Sequence, residues 1–245
     1  MIALLADIHG NREAMTACLA DAERRSAERY VFLGDLVGYG ADPGWVTDRA
    51  IEYVARGADA IRGNHDAAAA GQQVAMNETA AAAIAWTRSQ LDAAQRNFLE
   101  KLPLSVEDGA RLYVHASADE PSRWHYVLDR HRARKSFDAT PAQQTFCGHV
   151  HSPALYLLSH TGKLFSFTPT AGVGIPLLPG RRSLAVLGAV GQPRDHNPAA
   201  CYALLDETQN MLTYIRVPYD VASAARKIRQ AGLPAVLAAR LEQGY

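Results

Sequence analysis

Cysteine is scarce in this chain of 245 residues, with only Cys18, Cys147 and Cys201, and no C-x-x-C pair. That count excludes a disulfide framework and a cysteine-based structural zinc site. An excess of either charge is also missing, since 25 Lys and Arg balance 25 Asp and Glu. No broad field is therefore available to attract a nucleic acid polymer or an anionic membrane. No run of about 18 apolar residues exists, which excludes a membrane-spanning helix. The first ten residues carry no basic segment, and their apolar run stops at Asp7 and His9. They read as a buried strand rather than a signal peptide. With 48% apolar and 20% charged residues the composition is that of a globular protein. These absences predict a soluble, cytoplasmic chain with a small substrate, no membrane partner and nucleic acid disfavoured.

What is present is a change of pattern along the chain. Apolar runs at 2–6, 30–36 and 58–62 alternate with helical stretches at 11–25 and 42–55, the β-α-β-α-β order of a parallel sheet. Asn11 is placed to cap the first helix, and Pro43 stands at the tolerated first position of the second. Residues 76–101 read as two helices meeting near Leu91 and Asp92, followed by a hairpin turning at Asp108-Gly109. The segment 118–140 is charged and irregular, with one helix predicted near 127–137. From Thr145 six strands follow without helices between them, and a terminal helical segment, 220–242, breaks at Gly232-Pro234. No repeat, linker or composition break divides the chain. The prediction is one α/β domain, 1–245, with two sheets.

The chemistry concentrates at strand ends. Five of nine histidines (His9, His65, His115, His149 and His151) follow apolar runs and stand beside Asp, Asn or Gly. In D-I-H, residues i and i+2 of an extended strand share a face, so Asp7 and His9 can grip one ion. The same spacing joins His149 and His151, unless leaving the strand turns them toward different ions. A mixed imidazole and carboxylate set suits Mn, Fe, Zn or Co, and two such ions together activate a phosphoryl group. A lone strand-end histidine is commonly a hydrogen-bonding residue; five segments of this kind in one chain are not explained that way.

In their order, Asp7-Ile8-His9, Gly34-Asp35, Gly63-Asn64-His65-Asp66, His115 and Gly148-His149-Val150-His151 resemble the calcineurin-like metallophosphoesterase superfamily. The runs G-D-L-V-G-Y-G-A-D-P at 34–43, G-Q-P-R-D at 191–195 and R-V-P-Y-D at 216–220 resemble a bacterial small-phosphoesterase subgroup of it. The resemblance implies a four-layer α-β-β-α sandwich with two mixed sheets. It implies two divalent metal ions, the first held by Asp7, His9, Asp35 and His151, the second by Asp35, Asn64, His115 and His149. It places His65 on the substrate as a cation or proton donor, and lets Asp66 orient that ring. The implied activity is hydrolysis of phosphoric esters by a metal-bound hydroxide, as a phosphodiesterase or a broad phosphoesterase. Phosphomonoesterase, protein phosphatase and dinucleoside-polyphosphate hydrolase are alternatives, and a non-catalytic scaffold is the rival from another class. Two departures stand out: V-H-A-S at 114–117 where relatives have V-H-G, and V-L-G-A-V at 186–190 where many have N-P-G-S-V.

Four residues are candidates for substrate contact. Asn11 follows the first motif. Tyr39 either lines the pocket or packs. Trp124, with His125 and Tyr126, forms either an aromatic wall that stacks a nucleobase or a small local core. Arg194 either grips a phosphate or pairs with Asp195.

Overall fold

A computed structural model describes all residues, 1–245. Strands β1 (Ile2–Leu5), β2 (Arg29–Phe32) and β3 (Asp59–Ala60) are parallel and are joined through helices α1 (Arg12–Arg24) and α2 (Pro43–Ala55). Asn11 caps α1 as expected, its Oδ1 accepting from the Ala14 amide at 3.0 Å. Three helices follow, α3 (Asn64–Ala70), α4 (Glu78–Gln90) and α5 (Ala93–Lys101). Helix α3 is absent from the sequence reading, which ended a strand at G-N-H-D. It starts at Asn64, where Gly63 takes the cap position and the Asp66 carboxylate accepts from the Gly63 amide at 2.9 Å.

The hairpin β4 (Ser105–Asp108) and β5 (Arg111–Val114) leads through the irregular segment to α6 (Arg130–Asp138) and β6 (Gln144–Cys147). Then come β7 (Ala154–Ser159), β8 (Leu164–Phe167), β9 (Gly174–Pro176), β10 (Arg181–Val186), β11 (Ala200–Asp206) and β12 (Met211–Val217). Helices α7 (Val221–Gln230) and α8 (Ala235–Gln243) close the chain, separated at Gly232-Pro234 as predicted. The three-residue β9 was not anticipated, being too short to carry a period.

Two mixed sheets of six strands result, ordered β3-β2-β1-β11-β12-β9 and β4-β5-β6-β10-β7-β8. Alternating side chains divide between layers, as the two-residue period of a strand requires. Ile2 and Leu4 of β1 meet Phe146, Leu155 and Ala185 in a core between the sheets. Ala3 and Leu5 point the other way, onto Met15, Cys18 and Val46 of α1 and α2. The second sheet's outer face (Val114, Tyr156, Leu184) is covered by Ala133 and Phe137 of α6. These are the layers of the expected α-β-β-α sandwich. No helix is long and apolar enough to cross a membrane.

The topology brings one set of strand ends together. Parallel β1, β2 and β3 finish at one edge of the first sheet, and parallel β5, β6 and β10 finish at one edge of the second. Beyond the strands, backbone pairing continues through the loops: Asp7 N–H donates to Gly34 O, His9 N–H to Asp35 O, Gly148 N–H to His115 O and Gly191 N–H to Asp7 O. Candidate ligands from both sheets are thereby held against one another.

Candidate metal centre

All of the histidine and carboxylate candidates lie past the strands rather than in them. Asp7, His9, Asp35, His149 and His151 have φ between 51° and 68°, the left-handed region that such residues seldom adopt. The expectation that Asp7 and His9 share the face of an extended strand therefore fails. Their convergence comes from a tight left-handed turn, and each such residue stores about 1 kcal/mol or more that the surroundings must offset. The same twist turns His149 and His151 to different places. His151 joins Asp7 and His9, whereas His149 joins Asp35 and His115.

In the first group His9 Nδ1 lies 3.1 Å from Val37 O, and His151 Nδ1 lies 2.6 Å from Gln192 O. A carbonyl accepts only from an N–H, so both rings carry their proton on Nδ1 and present a lone pair at Nε2. Those two Nε2 atoms lie 3.1 Å apart, with Asp7 Oδ1 3.5 Å from one and Asp35 Oδ2 3.7 Å from the other. Burial pulls both rings well below the usual histidine value, so no second proton relieves the contact. Two lone pairs facing each other in a buried site call for a cation. Nitrogens about 2.1 Å from one ion and near a right angle apart would stand about 3.0 Å from each other, which matches.

In the second group His115 Nδ1 lies 2.7 Å from Leu33 O, and its Nε2 lies 3.2 Å from His149 Nδ1, 3.3 Å from Asn64 Oδ1 and 3.4 Å from Asp35 Oδ2. Here a proton can stand where an ion would. Burial lowers the ring's pKa, but Asp35, Asp7 and the Leu33 carbonyl together outweigh it and lift the value to about 9. His149 is driven down to about 3 by burial and by the charge on His115. Asp35 Oδ2 approaches both groups, which makes it the one carboxylate able to bridge them. Asp7 lies with its carboxylate against the His149 amide at 2.9 Å, and burial raises it to about 7.

His65 stands beside this array, its ring 4.9 Å from that of His9 and 4.4 Å from that of Tyr39. Its backbone amide donates to Asp35 Oδ1 at 2.8 Å, and its Nδ1 has no partner. Gly38, at φ +89°, makes room for the ring, since a Cβ there would fall 2.4 Å from Nδ1. Burial lowers the His65 pKa more than Asp35 raises it, so the ring is neutral in the protein by itself. Asp66 is engaged elsewhere than the resemblance implied. Its carboxylate accepts from Gly63 and Val37 amides and so starts α3 and ties it to the loop after β2. It does not orient the His65 ring.

The four substrate-contact candidates separate. Asn11 is used up within the fold rather than facing a substrate: its amide donates to Gly191 O and the Tyr219 hydroxyl, and its oxygen caps α1. Tyr39 packs on α7 and α8, with its ring 4.6 Å from that of His9 and 4.4 Å from that of His65. Arg194 does not pair with Asp195, which pairs with Arg216. Its guanidinium hangs 5.8 Å from the Tyr39 ring, donates to Gln192 Oε1 at 3.1 Å and leaves Nε without a partner. Trp124 lines a cleft of about 740 Å³ that opens beside Asn64 and His149. Tyr126, in the same cleft, stacks on His149 with ring centroids 3.9 Å apart.

Gln192 was overlooked. Its carbonyl fixes His151 and its side chain fixes Arg194, and the only sequence sign was its place in G-Q-P-R-D. The unusual run Val186–Val190 contributes no polar group here; Val186, Leu187, Ala189 and Val190 are wholly buried in the core.

The calcineurin-like phosphoesterase superfamily domain matches residues 1–210. An uncharacterized protein of Methanocaldococcus jannaschii is 32% identical, covering 100% of this chain and 98% of its own length. The crystal structure of a metallophosphoesterase from Sphaerobacter thermophilus is similar at 33% identity with a TM-score of 0.88, over 100% of this chain and 98% of that one. A hypothetical protein from Pyrococcus horikoshii OT3 shares the fold at 22% identity and a TM-score of 0.79, over 100% and 99%. With most of its length matched and its His and Asp side chains gathered as described, the chain belongs to the calcineurin-like phosphoesterase superfamily.

Proposed function

We propose that the protein hydrolyses phosphoric esters with two divalent ions, the first on Asp7, His9, Asp35 and His151, the second on Asp35, Asn64, His115 and His149. The observation that carries this reading is the pair of Nε2 lone pairs of His9 and His151 facing each other at 3.1 Å. Nitrogen and oxygen ligands together suit Mn, Fe, Zn or Co. Bound there, the ions would supply Lewis acidity toward phosphoryl oxygens and lower the pKa of water.

The chain's own groups do the rest. The three carbonyls of Leu33, Val37 and Gln192 fix the imidazole tautomers, so ligand lone pairs are set before an ion arrives. His65, neutral and adjoining Asp35, offers a hydrogen bond to a phosphoryl or leaving-group oxygen, and takes a proton only once an anionic substrate is beside it. Arg194, lacking a carboxylate partner, supplies a fork for phosphoryl oxygens. That free cation favours doubly charged phosphates, which keeps monoesters and polyphosphates beside diesters as substrates. A small phosphorylated substrate in the cytoplasm is part of the proposal, supported by three free and buried cysteines.

The test is hydrolysis of bis-p-nitrophenyl phosphate, p-nitrophenyl phosphate and a dinucleoside polyphosphate after reconstitution with Mn, with metal content measured alongside. Two ions per chain and turnover of at least one ester are expected, with both lost in Asp35→Asn. A protein that holds two ions and cleaves none of the three would be a scaffold, and the hydrolase reading would fall.

A further inference from the structure

The cleft beside the second ligand group is not used by any step above. Asn64 and His149 line it together with Trp124, Tyr126 and Leu128, and it also receives Asp129 and Arg132. Its volume of about 740 Å³ lies within the range of small-molecule pockets. Tyr126 lies nearly parallel on His149, at 20°, yet remains 45% exposed, so one face rests on a ligand and the ring still offers surface to the cleft. Leu128 is 66% exposed in the same wall. Leaving two large apolar side chains open beside a polar centre costs burial that a simple cover would have gained. Trp124 adds a buried indole N–H with no acceptor, while Arg123 of the same lining is paired with Glu120 at 3.2 Å.

We infer that this cleft holds the nucleoside of a nucleotide ester, with the base against Tyr126 and its phosphate at the Asn64 and His149 side. The inference rests on the phosphoesterase reading and names its substrate class. A base offers the tyrosine a flat face, which a ribose phosphate alone lacks. Stacking on an aromatic side chain contributes about 1–3 kcal/mol per base, or about 5-fold to 150-fold in affinity.

The experiment is calorimetric titration of the metal-loaded protein with two probes that cannot be hydrolysed, the phosphonate analogue of adenosine 5′-monophosphate and ribose 5-phosphonate. The adenosine probe is expected to bind about 5-fold to 150-fold tighter. In Tyr126→Ala, with two ions still bound, that ratio should shrink toward one while ribose 5-phosphonate keeps its affinity; Tyr126→Phe should retain the ratio. Equal binding of the two probes, a parallel loss of both in Tyr126→Ala, or no binding of either overturns the inference. Hydrolysis of bis-p-nitrophenyl phosphate by the same wild-type sample decides the phosphoesterase reading separately. An active sample without the adenosine preference sinks only the nucleoside.

Discussion

The ligand groups and the wall of the neighbouring cleft touch through one stacked pair, Tyr126 on His149, yet they are built in opposite ways. Every candidate imidazole and carboxylate ligand is at most 5% exposed, and most are held by a backbone carbonyl or amide from a different loop. Residues 119–128 form no strand, carry one short 3-10 turn, and leave Tyr126 and Leu128 open. A centre that must position ions tolerates no slack, because a displaced ligand loses the metal. A wall that recognises a substituent by surface can be loosely built and altered without harm to the fold. The difference predicts where mutations are felt as stability and where only as binding.

The largest effect is expected at Gly63. An added Cβ would fall 2.1 Å from Asp35 Oδ1 and 2.3 Å from the Asp35 nitrogen, and backbone cannot step aside there. Gly63→Ala should cost about 3 kcal/mol or more and abolish metal binding, read by urea unfolding and metal content. Gly109→Ala, in a hairpin turn with nothing near, should cost only about 1 kcal/mol for its positive φ. Similar costs for the two would mean that the centre is as pliable as a surface turn.

His65→Ala comes next. It removes the group proposed to face the substrate and leaves every proposed ligand in place. Turnover should fall about 10²-fold to 10⁴-fold with two ions still bound. Loss of metal in this variant would show that His65 is a ligand, as its approach to His9 and Asp35 allows geometrically.

Chelation should be felt as stability, because only the folded chain presents the ligands. At a free metal concentration a thousand times the dissociation constant the loss on removal is about 4 kcal/mol. The pH dependence differs between the two states. In the chelated protein His115 keeps its proton up to about 9, above the value near 6.5 of an unfolded histidine. A raised folded pKa means stability that is fully present below the unfolded value and lost as pH rises through the folded one. From about pH 7 to about pH 9 the chelated protein should therefore lose stability on this account. Below that window the buried neutral rings of His9, His65, His149 and His151 act in the opposite sense and destabilise as acid is added. Metal, which needs His115 neutral, gains affinity over the same window. Melting curves at pH 7 and pH 9, with and without chelator, should diverge as pH rises; parallel curves would defeat the assignment of His115.

The two regions also differed in how far they could be read from residues alone. The centre was legible because a strand-ending apolar run followed by His or Asp is a local pattern, and five such runs share one chemistry. The two sheets were legible from strands that first alternate with helices and then do not, and their stacking as a sandwich came from the family resemblance. What escaped was long-range. The Gln192 and Val37 carbonyls that set the tautomers carry no side-chain signature, and the partners of the Asn11 amide, Gly191 and Tyr219, lie far along the chain from the cap that the sequence predicted. The resemblance let Asp66 orient the His65 ring, whereas at the start of a helix the third residue turns back to the cap. The wall was barely legible, because Trp124 to Leu128 follow no period and their meaning lies in what they face.

The smallest stability effect belongs to that wall. Leu128 is 66% exposed, so Leu128→Ala removes few packed atoms and should change stability by less than about 0.5 kcal/mol. Unfolding in urea measures it. A larger loss would mean that the side chain is packed in solution and that the cleft is closed rather than open. If the loss is small while the adenosine probe binds the variant more weakly, the apolar surface is there for the ligand. The comparison then takes its sharper form: one region spends strain to hold ions, and the other leaves surface uncovered to meet what the ions act on.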